Sequence, residues 1–109
     1  MYDLRPQLQG LVFILDISHS VVQKLRQKHD ISVDEVEECF LNRTHGFLID
    51  KREEHKTDPP TYWFIAETDL GRKLKICMII KSDKFVIKTA FRTTNQDLIE
   101  MYYRKSKKE

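Results

Sequence analysis

The chain has 109 residues, 40% of them hydrophobic and 10% aromatic, which suits one domain with its own core and excludes a disordered segment. Charged residues make up 33% and the formal net charge is +2. Residues 1–70 carry 8 Lys/Arg against 13 Asp/Glu, a balance of −5, and residues 71–109 carry 11 against 4, a balance of +7. Such a field draws a polyanion to the basic half, although a basic tail and a solvated strand face would give the same numbers.

Residues 1–10, with Pro6 and Gly10, read as an irregular lead-in. Leu11–Ile17 is a run of seven residues rich in strand formers, expected as a short strand and too short to cross a bilayer. The N-terminus has no charged start followed by an apolar run and a small-residue cleavage site, so no signal peptide is expected, and cysteines read as reduced suit a cytoplasmic protein. Ser18 caps a first helix with Val21, Val22 and Leu25 at helical spacing and Lys24, Arg26 and Lys28 near its end. Ser32 and Glu35 form a capping box for a second helix running to about Phe40, with Val33, Val36 and Phe40 on one face and Asp34, Glu35, Glu37 and Glu38 outward. The pair predicts a helical hairpin.

Phe47–Ile49 is a short strand candidate, and the polar segment Asp50–Pro60 is a surface loop. Tyr62–Thr68, Lys73–Ile80 and Lys84–Phe91 read as three strands joined by two tight turns, an antiparallel meander. Asn95 caps a last helix from Gln96 to about Tyr103, with Leu98, Ile99 and Tyr102 inward, and Arg104–Glu109 is a charged tail. The fold expected is therefore α+β in a single domain. Cys39 and Cys77 lie far apart among apolar neighbours and read as reduced core residues, with a buried disulfide as the alternative. Neither has zinc-ligand spacing, and no phosphate-cradling glycine loop, nucleophile elbow or HExxH motif is present.

Short motifs carry a resemblance to a family. Lys28-His29 followed by Ile31-Ser32-Val33-Asp34-Glu35-Val36-Glu37-Glu38-Cys39-Phe40, then Gly71-Arg72 with Leu74 at a strand start, Ile87–Phe91, and a closing Tyr102 or Tyr103 resemble the BrnT-like toxins of the RelE/ParE superfamily over about residues 18–103. Two departures stand out. The strand that usually ends Ala-Arg ends Ala90-Phe91-Arg92, which by alternation turns the basic residue to the other face. The Asp50–Pro60 loop is also foreign to the pattern.

The resemblance implies a metal-independent endoribonuclease toxin, without cofactor, that acts on RNA and is neutralised by a cognate antitoxin. Such cleavage needs a base for the ribose 2′-hydroxyl, donors for the charged phosphate and an acid for the leaving oxygen. His55 in the polar loop is the candidate base, Arg72 and Lys88 the phosphate ligands, and Tyr102, or Tyr103, the assisting group. Arg52, Lys73, Lys75 and Arg92 are expected to bind the strand. The site is expected on the exposed face of the meander, roofed by the Asp50–Pro60 loop and bordered by the last helix. Lys88 and Thr89, being adjacent on a strand, should face opposite sides. Each of these residues also has a plain reading as a solvated side chain or a turn residue. A non-catalytic immunity or antitoxin-like module using the acidic hairpin is the alternative, and a hydrolase of ADP-ribosylated protein a third reading.

Overall fold

The structure, a computed structural model, describes residues 14–52 and 59–106. Strand β1 (Ile14–Asp16) leads into helix α1 (His19–His29) and helix α2 (Val33–Asn42). Strand β2 (Leu48–Ile49), the meander β3 (Thr61–Glu67), β4 (Lys73–Lys81) and β5 (Lys84–Arg92), and helix α3 (Gln96–Lys105) follow.

Local chemistry sets both N-terminal helices. The Ser18 hydroxyl accepts from the Val21 amide at 3.3 Å, and Asp30 closes α1 in the left-handed region at φ 53°. The capping box of α2 is complete: Glu35 N donates to Ser32 Oγ and Ser32 N donates to Glu35 Oε1, both at 3.1 Å. The inward stripe of α2 is Val36, Cys39 and Phe40; Val33, expected there, is 38% exposed. It lines a pocket with Leu15, Ile17 and Val22 instead.

The sheet has five strands in the order β1-β5-β4-β3-β2, with β1 parallel to β5 and the other pairs antiparallel. The expected three-strand meander is thus the centre of a wider sheet, and the two short apolar runs before it supply its edges. Leu74, Ile76 and Met78 of β4 are 0% exposed beneath α1 and α2, on the face shared with Phe64, Ala66, Ile87 and Ala90. Phe40 of α2 seals that face, its ring centroid 4.8 Å from Phe64 and 5.1 Å from Phe85.

Helix α3 covers part of the other face. Trp63 of β3 meets Tyr102 of α3 with centroids 5.5 Å apart. The register slips from Cys77↔Thr89 to Met78↔Ile87, so Lys88 is the extra residue of a β-bulge. The expected opposition of Lys88 and Thr89 therefore fails: strict alternation does not run through a bulge. Cys39 packs on the helix face, Sγ 3.5 Å from the Ala66 carbonyl, while Cys77 pairs with Trp63 on the opposite face. Both cysteines are free thiols, and the alternative of a disulfide falls because the sheet lies between them. Burial pushes the Cys39 thiol up to about 12 and also raises Cys77.

Candidate nucleic-acid interface

Register decides which cations of β4 share a surface. Lys75 sits opposite Ile65 on one side and Phe91 on the other, in the row next to Trp63 and Cys77, and so points to the outer face of the sheet. That face is where α3 docks. Lys75 is only 9% exposed. Its ammonium lies 4.5 Å from the Trp63 ring centroid and 5.6 Å from that of Phe91. Among the described residues it has no hydrogen-bond or ion-pair acceptor. The two aromatic faces attract the ammonium, which keeps three donors for an oxygen acceptor entering from the groove.

Lys75 lines a groove of about 500 Å³. One wall is the chain from Leu48 to Arg52, the other is Leu98, Met101 and Lys105 of α3, and Trp63 lies beside Lys75 on the floor. Leu98, Met101 and Lys105 share a wall because three- and four-residue steps return to one side of a helix. Among the described residues, Lys51, Arg52, Lys75 and Lys105 line the groove together with the carboxylate of Asp50. Arg52 holds that carboxylate in a fork, Nε donating to Oδ1 at 3.1 Å and Nη2 to Oδ2 at 2.9 Å. The Asp50 side chain is 8% exposed and that of Arg52 55%, so the pair presents its positive end outward.

The expected site residues divide. Arg52 and Lys75 come together in this groove. Arg72 does not join them. Its Nη1 donates to Glu35 Oε2 at 2.6 Å and to the Asp30 carbonyl at 3.1 Å, so the guanidinium ties the hairpin of α1 and α2 to the start of β4. Arg72 thus acts as a clamp within the fold through Nη1, positioned by Gly71 at φ 88° and by its own amide on Thr68 Oγ1. Lys73 lies 3.8 Å from Glu67. Arg92 stands opposite Leu74, out of phase with Lys75, as the shifted motif implied. Arg72, Lys73 and Arg92 line a separate cavity of about 350 Å³ beside the start of α3.

Tyr102 is 0% exposed and its hydroxyl donates to the Gly46 carbonyl at 2.8 Å. Burial pushes that hydroxyl up to about 12. Its expected part in chemistry falls, because its proton is committed inside the core. Tyr103 is half-buried against His45, centroids 4.7 Å apart. Lys88 is exposed at the bulge. His55 lies outside the described residues.

Lys51 and Lys105 were not expected at the site. Lys105 was assigned to the tail, yet α3 continues through it; its seven-residue step from Leu98 was the available signal. The acidic face of α2 is partly spent within the fold. Glu35 pairs with Arg72, and Glu38 accepts from the Asp69 amide at 2.9 Å. Among the described residues, no group of three His, Cys, Asp or Glu could hold a metal ion, and no helix is long and apolar enough to cross a membrane. The chain matches no protein-family model and no curated protein.

Proposed function

We propose that this protein binds RNA in the groove between residues 48–52 and α3, and acts there as the metal-independent ribonuclease toxin of a cytoplasmic toxin–antitoxin pair. One observation carries the binding half: a nine-tenths-buried Lys75 without an acceptor among the described residues, set in a groove with three further cations. RNA supplies phosphate anions for the rim and oxygen acceptors for the floor. The cleavage half rests on the resemblance to BrnT-like toxins. In this reading His55 moves the proton, Lys75 meets the substrate in the groove, and Arg72 and Tyr102 serve the fold.

A second reading is a non-catalytic RNA-binding module of the same fold. It is favoured by Arg72 and Tyr102, two of four expected catalytic groups, both serving as structural ties. Induced expression without a partner, followed by single-turnover cleavage of a labelled transcript with the purified protein, separates the two. Growth arrest with cleavage that His55→Ala lowers by roughly two orders of magnitude supports the toxin. Salt-sensitive binding without cleavage or arrest leaves the binding module, and no binding at low salt ends both readings.

A further inference from the structure

The shape and chemistry of the groove say more than that it is basic. Its volume, about 500 Å³, falls in the range of roughly 300–1,000 Å³ that holds one small-molecule-sized ligand. Its floor holds Trp63 and Lys75, residues that are 7% and 9% exposed respectively. A paired helix carries its bases stacked inside and its phosphates outside, so neither its bases nor its rods of phosphate can reach such a floor. An unpaired nucleotide can turn its base into the groove while the backbone passes along the rim.

The polarity of the lining fits that orientation. Leu48, Leu98 and Met101 give apolar walls for the two faces of a base. Lys51 and Lys105 are exposed at the rim, where the phosphates would run. Among the described lining residues, the Asp50 carboxylate is itself buried, which disfavours a phosphate pushed against it. Lys75 therefore meets a base edge. An ammonium is donor only, so it selects an edge that offers acceptors alone. Guanine presents O6 and N7 side by side; adenine sets an amino donor beside N7.

We propose that the groove is a pocket for a single unpaired guanine of RNA, with Lys75 donating to its O6/N7 edge. This rests on the RNA-binding reading above and adds the strand state and the base. The test is fluorescence anisotropy at low salt with three probes: a short labelled oligoadenylate, the same strand with one central guanine, and that second strand annealed to its complement. The guanine strand should bind the parent about tenfold tighter than oligoadenylate, and annealing should remove at least that much affinity. Lys75→Met should bring the guanine and adenine strands to equal affinity. If the parent binds both single strands equally and with a steep salt dependence, the guanine pocket is wrong and RNA binding stands. If the duplex binds as tightly as the guanine strand, the inserted nucleotide is wrong. If the parent binds none of the probes, the RNA reading itself fails. The comparison of strands on the parent needs no variant, so a poorly folded Lys75→Met leaves the proposal falsifiable.

Discussion

Replacing Arg72 by Ala asks whether this arginine serves the fold or a ligand. The change removes a 2.6 Å bond to Glu35 and a 3.1 Å bond to the Asp30 carbonyl. The Arg72 and Glu35 side chains are 28% and 22% exposed, so water screens the pair in part. Buried charge-assisted hydrogen bonds contribute about 1.5–3 kcal/mol and exposed ion pairs about 0.2–1. This pair falls between, and the loss should be about 1–2 kcal/mol, a fall in Tm of roughly 5–15 °C for a domain of this size. Glu35 keeps the Ser32 amide at 3.1 Å, so the carboxylate is not stranded. Burial pushes the Glu35 carboxyl up, but the Ser32 amide and then Arg72 outweigh it and hold it below its ordinary 4.5. A depressed carboxyl stabilises the fold above its unfolded value and loses that contribution as pH falls through the folded value. The deficit of Arg72→Ala should therefore be full at pH values above 4.5 and shrink in stronger acid. Urea unfolding of parent and variant across that range measures it. A variant as stable as the parent that nevertheless loses RNA binding would refute the assignment of Arg72 to the fold.

Three further outcomes are expected. Tyr102→Phe removes the bond to the partly buried Gly46 carbonyl and should cost about 0.5–1.5 kcal/mol in urea unfolding while leaving RNA affinity unchanged. Ser32→Ala removes the hydroxyl half of the α2 capping box and should cost about 1 kcal/mol in the same measurement. Cys39 and Cys77, both buried with raised thiols, should resist a thiol-reactive disulfide reagent at mildly alkaline pH in the native protein and react in urea.

Much of the fold was legible where a short-range signal acts alone. The Ser32–Glu35 box, the Asn95 cap and the meander all follow from residues within a few positions of one another. The site was less legible, because its geometry depends on long-range partners. Nothing in the sequence near Arg72 announces Glu35, which lies 37 residues away. Nothing near Tyr102 announces the Gly46 carbonyl, 56 residues away. Alternation along β4 put Lys73 and Lys75 on one face, yet it could not reveal that the sheet register and α3 bury the second and leave the first beside Glu67. The bulge at Lys88 was equally hidden, since it exists only as a mismatch between two strands.

RNA binding in the groove floored by Lys75 is the core of the proposed function. Its most direct measurement is the affinity for a short guanine-containing single strand in three proteins: the parent, Lys75→Met, and Lys24→Ala on the exposed side of α1. Circular dichroism on each confirms folding. Loss of a charge-assisted bond at a desolvated floor predicts roughly tenfold or more weaker binding for Lys75→Met. Lys24→Ala should bind as the parent does. A folded Lys75→Met protein with the parent's affinity would contradict the account and move the RNA surface off the outer face of the sheet.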